Sequence, residues 1–308
     1  MRKEFTLQSN DAMTMLHGYV WTPDGEPKQV LQMVHGMSDH IERYDEFAQY
    51  LTTQGFAVIG HNHLGHGESV TSEDRLGYFA KENGHRIVVD DMHKVTEYGR
   101  ELFPGVPYFI LGHSMGSFMV RRYLMVYGGE VDGAIVMGTG FIPRAKASIG
   151  VAMPTIVRAF KGEFYRSSLL TYLALGSNNK AFAPNRTDSD WLSRNEENVD
   201  LYIEDPWCGF RFTASAYVDF FTVIKSLTSK KNLELMPKEM PILIISGAVD
   251  PVGGEKAVMK LKAQYDALGM KDVTVKLYPE DRHEILREVD RVTVFEDIKN
   301  WLEAKRTK

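Results

Sequence analysis

The sequence has one cysteine, Cys208, among 308 residues. It therefore forms no intrachain disulfide and lacks the set of thiolates that a zinc ribbon or an iron–sulfur cluster requires. A reducing, cytoplasmic setting is the expectation. No run approaches the ~20 apolar residues of a membrane span, and the opening MRKEFTLQSNDAMTMLHG never reaches the apolar core of a secretory signal. Basic charge is not in excess either: 36 Lys and Arg face 41 Asp and Glu, a net charge of −5. That balance excludes the basic footprint a phosphate backbone demands, so no nucleic-acid partner is expected. Internal repeats and low-complexity stretches are absent. What remains is an ordinary folded composition, 44% hydrophobic and 25% charged. The length suits one large α/β domain with an insertion, or two small domains.

Short apolar, β-rich runs alternate with segments of helical period, the pattern of a parallel sheet covered by helices on both faces. The runs are Val30 to Val34, Phe56 to Gly60, Tyr108 to Leu111, Ala134 to Met137, Ile242 to Ile245 and Val273 to Tyr278. Each is nearly continuous in apolar residues, as expected of strands buried on both sides. Tyr44, Phe47, Ala48 and Leu51 share one helical face ahead of Gly55. Val258, Leu261, Tyr265 and Leu268 do the same ahead of Gly269, and Phe295, Ile298 and Leu302 mark a last helix. The alternation stops over residues 141–235, where helical pieces are interrupted by Pro154, Gly162, Gly176, Pro184 and Pro206. The sequence thus predicts a core of residues 1–140 and 236–308 with an inserted helical cap of 141–235. Eight of the 16 phenylalanines lie in the cap, which points to an apolar substrate or to the cap's own packing.

Gly112-His113-Ser114-Met115-Gly116 follows a strand and opens a helical segment, the setting of a nucleophile elbow. A Cβ at either glycine would collide with backbone in so tight a turn. A serine hydroxyl is a weak nucleophile near neutral pH and needs a base, itself oriented by an acid. His283 is the sole histidine after Ser114, just past Val273 to Tyr278. Asp250 follows the strand Ile242 to Gly247 and is the orienting carboxylate. Asp281 and Glu280 are rivals whose closeness in sequence to His283 gives poor reach to its ring. An acyl-transfer site also needs backbone donors for the oxyanion. These are assigned to Met115, the residue after the nucleophile, and to Met37, in the turn that follows Val34.

These motifs resemble the α/β-hydrolase superfamily, and within it the monoacylglycerol lipase and lysophospholipase-like serine hydrolases, which are grouped with certain serine aminopeptidases. The resemblance spans essentially the whole chain. It is carried by HGMSDHIERY at 35 to 44, GHGES at 65 to 69, GHSMGS at 112 to 117, SGAVDPVG at 246 to 253 and YPEDRHEIL at 278 to 286. The cap segments DWLSRNEENVD (190 to 200) and DPWCGF (205 to 210) resemble bacterial lysophospholipases. The chain departs from the family at Ser38-Asp39, where Gly-Glu is common, at Asn62, where a carboxylate is common, and at Arg287, where Asn is common. The resemblance implies an α/β-hydrolase fold and hydrolysis of carboxylic esters with apolar acyl chains through an acyl-enzyme.

Two readings share the triad: a short-chain carboxylesterase, and an aminopeptidase in which Glu163 or Glu204 would meet the substrate amine. A third, remote reading is a zinc hydrolase using His61, His63 and His66, although Gly65 stands where that ligand run needs Asp. A catalytically silent protein with a lidded apolar pocket is the non-enzymatic alternative. His35 and His113 are read as loop-orienting residues. The serine hydrolase needs no metal or cofactor. Its partner is a small ester or lipid, with transient contact between the cap and a membrane surface. Within Ala147 to Phe160 the apolar residues Ile149, Val151, Met153, Ile156, Val157 and Phe160 leave Arg158 and Lys161 at the trailing edge. Ile156 and Phe160 are the expected substrate-binding residues.

Overall fold

The computed structural model describes residues 1–305. In chain order the elements are β1 (Arg2–Gln8), β2 (Met15–Trp21), β3 (Val30–Val34), α1 (Asp45–Thr53), β4 (Ala57–His61), α2 (Gly84–Leu102), β5 (Tyr108–His113), α3 (Met115–Val126) and β6 (Gly133–Met137). Helices α4 (Arg144–Lys161), α5 (Ser168–Leu175), α6 (Glu196–Glu204), α7 (Ala214–Ser226) and α8 (Lys230–Leu233) follow before β7 (Ile242–Gly247), α9 (Gly254–Ala267), β8 (Val273–Tyr278) and α10 (Arg291–Ala304). One eight-stranded sheet runs β1-β2-β4-β3-β5-β6-β7-β8. From β4 to β8 every neighbouring pair is parallel.

Burial explains why the central runs are strands. Every residue of β3, β4, β5, β6 and β7 is buried, and successive side chains point to opposite faces. Val30, Val34 and Ile110 join one apolar cluster with Met92 of α2, Phe118 of α3 and Val258 of α9. Leu31, Met33 and Leu111 join the other with Phe47 of α1 and Phe295 of α10. The central strands are thereby clamped between two helical layers.

The structure corrects the sequence reading at four places. The antiparallel β1–β2 hairpin, joined to the sheet by β2 against β4, carries no apolar run and was not expected. Helix α2, which buries Val88, Val89, Met92 and Val95, was not expected either. Strand β8 is the sheet edge, with Thr274 and Lys276 exposed, rather than a strand buried on both faces. Pro154 lies inside α4 without ending it; a proline removes one helical hydrogen bond, and here α4 lies along α7 for much of its length. Between β6 and β7 the described residues hold helices and no strand.

Candidate active site

Ser114 sits between the last residue of β5 and the first of α3, with φ 53° and ψ −119°. A non-glycine residue there is strained, and the surroundings hold it in place. A Cβ on Gly112 would lie 2.3 Å from the Gly116 carbonyl oxygen, and one on Gly116 2.2 Å from that of Val34. The turn exists because both glycines let backbone meet backbone. The Ser114 N–H donates to the Met137 carbonyl at 3.0 Å, and the Ser117 hydroxyl donates to the Ser114 carbonyl at 2.6 Å.

His283 and Asp250 arrive from the loops after β8 and β7. Gly247 brings these loops together, since a Cβ there would lie 2.0 Å from the Asp281 carbonyl oxygen. His283 Nδ1 is 2.9 Å from Asp250 Oδ2 and 3.0 Å from Oδ1. Asp250 also accepts the Val252 N–H at 2.8 Å and the Ser246 hydroxyl at 3.3 Å. Burial works hardest against a charged His283 imidazole, but the Asp250 charge and hydrogen bond outweigh it, so its pKa is raised above the ordinary value. Five nearby histidines go the other way. Burial lowers His35 and His113 to about 4 and His61 and His66 to about 3, and holds His63 well below its usual value. Among these imidazoles His283 alone is built to take up a proton near neutral pH.

The rival carboxylates are engaged elsewhere. Arg194 Nη1 pairs with Glu280 at 3.0 Å and Nη2 with Asp281 at 2.5 Å, while Glu288 and Asp290 complete the cluster. Burial and the Glu288 and Asp290 charges push Asp281 up to about 7.

Ser114, His113, His283, Met37 and Trp191 line one narrow cavity of about 80 Å³. Gly36 abuts the serine, because a Cβ on it would lie 3.3 Å from Ser114 Cβ. The N–H groups on either side of Met37 are occupied: that of Gly36 donates to Asp39 Oδ2 at 3.3 Å, and that of Ser38 to His66 Nε2 at 3.3 Å. The Met115 N–H heads α3, where a helix has no internal acceptor for it. Met37, Ser114 and Met115 together line a second, larger cavity of about 420 Å³ whose walls include Met153, Leu173, Phe220 and Phe221. A cavity of similar volume, about 410 Å³, lies between the N-terminal hairpin and the loop after β4, with neither Ser114 nor His283 in its wall.

Ile156 and Phe160 are not brought to Ser114. They are 57% and 85% exposed and outside both cavity walls, whereas Ile149, Met153 and Pro154 of the same helix line the larger cavity. The reason is position along the helix: Ile149, Met153, Ile156 and Phe160 share one face of α4, but the cavity wall takes residues only from Lys146 to Pro154, and Ile156 and Phe160 lie beyond it. Within the histidine run, His66 has no nitrogen free to ligate a metal. His66 uses Nδ1 on the Leu64 carbonyl at 3.0 Å and Nε2 on the Ser38 N–H. A ligand nitrogen must have a free lone pair. Glu163 binds the Tyr78 hydroxyl at 3.2 Å in the distant 410 Å³ cavity, and Glu204 lines neither cavity beside Ser114.

A buried support was not read from the sequence. Arg43 makes two 2.9 Å contacts with Glu284 and one of 2.9 Å with Asp39. Asp39 accepts from the Tyr44 hydroxyl at 2.8 Å; that hydroxyl lies 2.9 Å from His113 Nδ1, and His113 Nε2 lies 3.2 Å from the His283 carbonyl oxygen. Burial alone would raise Asp39, yet Arg43 and the neighbouring histidines hold it well below the usual carboxylate range. The signal lay in the 35-to-44 motif, but Arg43 and Glu284 are 241 positions apart, and no local pattern pairs them.

Residues 25–290 match the family model described as "Serine aminopeptidase, S33". The chain is 27% identical over 296 residues to the human monoglyceride lipase, covering 92% of this chain and 86% of that one. It is likewise 27% identical over 293 residues to the monoacylglycerol lipase of Mycolicibacterium smegmatis, covering 92% and 91%. A thermostable carboxyl esterase from Bacillus coagulans, solved with glycerol, superposes with a TM-score of 0.91 at 26% identity over 99% of both chains.

Proposed function

Because the chain belongs to the serine aminopeptidase S33 family and has the α/β-hydrolase fold, we propose that it is a carboxylic ester hydrolase acting on monoacylglycerol-type esters through Ser114, His283 and Asp250. The observation that carries this reading is His283, doubly contacted from behind by buried Asp250, in one cavity with a serine on a strained strand-to-helix turn. Ser114 Oγ attacks the ester carbonyl and its proton passes to His283 Nε2, while Asp250 keeps Nδ1–H directed inward and stabilises the imidazolium. The Met37 and Met115 amides hold the oxyanion. The imidazolium then protonates the departing alcohol, and water attacks the acyl-enzyme by the same route. The lipases among the relatives and the apolar wall around the 420 Å³ cavity favour an acyl chain as the bound group.

The helices of residues 141–235 act as a cap over the core halves 1–140 and 236–308, supplying most of that wall. Ile156 and Phe160, exposed on α4 beyond the cavity wall, face a membrane surface rather than substrate. An amide substrate with a free amine is disfavoured: Glu163 and Glu204 stand away from Ser114, and the carboxylates in the narrow cavity, Asp39 and Glu284, are already paired with Arg43.

The test is kcat/KM over short esters, monoacylglycerols, lysophospholipids and aminoacyl amides, with Ser114→Ala as control. The reading expects monoacylglycerols to lead the panel and the variant to lose about 10⁶ in turnover. Preference for aminoacyl amides, or a Ser114→Ala rate within tenfold of the natural protein, would refute it.

A further inference from the structure

Arg121 lies in α3, seven residues beyond Ser114, and is 3% exposed. Its Nη1 donates to the Gly140 carbonyl at 3.0 Å and to the Thr139 hydroxyl at 3.3 Å, while its Nε has no acceptor. No carboxylate pairs with it among the described residues; burial lowers its pKa, outweighing the support that the Tyr265 hydroxyl gives its charge. A buried guanidinium without a counter-ion is costly, so its retention needs a reason. Arg121 lines a third cavity, of about 230 Å³, together with Arg144, Thr228 and Gln264, whose buried Oε1 is also without a partner. This cavity and the 420 Å³ cavity over Ser114 share Phe118, Ile142 and Ile224 as walls. The charged residues lining the two are Arg121, Arg144 and Lys146, with no carboxylate among them, in a chain of net charge −5.

We propose that the two cavities together bind an ester whose acyl chain ends in an anionic group, held by Arg121 and Arg144. This rests on the hydrolase reading above and specifies its substrate class. The spacing sets the chain length. Seven residues of helix span about 10 Å, and an extended chain advances ~1.2 Å per bond, which places the anion roughly eight bonds from the reacting carbonyl. A carboxylate there accepts two parallel hydrogen bonds from a guanidinium, and the Gln264 amide, turned over, adds a donor.

The test compares kcat/KM for 4-nitrophenyl octanoate and for the 4-nitrophenyl monoester of nonanedioic acid. The natural protein should favour the carboxylated ester at least tenfold. Arg144→Gln should cut that ratio tenfold or more, as should Arg121→Gln, while Arg121→Lys retains part of it. Arg144 is exposed, so its variant reports even where the buried substitution fails to fold. A ratio of one or below, unmoved by Arg144→Gln, overturns the proposal. A charge preference confined to 1-octanoylglycerol 3-phosphate over 1-octanoylglycerol also overturns it, because the anion then belongs to the alcohol side. Calorimetric titration with monomethyl nonanedioate separates the two levels of the reading. Binding that Arg144→Gln weakens tenfold supports the anion site even if no ester is turned over, whereas no binding to a protein that hydrolyses neutral esters rejects the site alone.

Discussion

Ser114 is held by strain and His283 by charge, and the two constraints respond differently to substitution. Removing the Asp250 charge leaves burial as the dominant influence on His283. Asp250→Asn should therefore lower kcat by about 10⁴ through a misdirected imidazole, while Asp281→Asn, whose carboxylate faces Arg194 and not the ring, should cost far less. Steady-state rates of the two variants check this, and the reverse ranking would transfer the orienting role to Asp281. The pH profile gives a second check. Only the neutral imidazole accepts the serine proton, so kcat/KM falls as pH drops through the His283 pKa. That pKa is raised in the fold, which puts the acid limb above the ordinary histidine value of about 6.5. In Asp250→Asn the opposing charge is gone, and the acid limb of the residual activity should move to lower pH; a limb that stays in place would contradict the assignment.

At the scale of elements, α4 separates what periodicity reveals from what it hides. The spacing of Ile149, Met153, Ile156 and Phe160 marks one apolar helix face, but a shared face does not say how far along the helix the cavity reaches. The cavity wall takes α4 residues from Lys146 to Pro154, and Phe160, beyond it, is 85% exposed. Each enclosed methylene contributes roughly 0.8 kcal/mol, so lengthening an ester from four to eight carbons adds up to about 3 kcal/mol of binding. Accordingly kcat/KM should rise with acyl length, Met153→Ser should flatten the rise, and Phe160→Ser should leave it intact while weakening adsorption to lipid vesicles. A rise that Phe160→Ser abolishes and Met153→Ser spares would restore Phe160 to the acyl wall. The strands show a parallel contrast. Strands β3 to β7 were legible because burial on both faces demands unbroken apolar runs. The β1–β2 hairpin was not, since β1 lies at the sheet edge with Phe5 its one buried residue. Of the candidate site, the placement of Ser114, Asp250 and His283 could be read because each follows a strand at its own loop. The Arg43–Glu284–Asp39 cluster could not, because its members meet only after the sheet has folded.

Across the whole molecule the parallel sheet serves as a platform that gathers residues from the loops after β3, β5, β7 and β8 at one edge. The helices between β6 and β7 supply apolar walls to the cavity that Ser114 lines, while the described helices include none long and apolar enough to cross a membrane. The account centres on a covalent acyl-enzyme at Ser114, and the most direct test is mass spectrometry of the protein after reaction with a fluorophosphonate, followed by peptide mapping. The account predicts one adduct per chain, located on Ser114, and none on Asp250→Asn in the same time, since the misdirected imidazole no longer activates the serine. Undiminished ester turnover by the natural protein after treatment that leaves no adduct, or an adduct mapped to another residue, would contradict it.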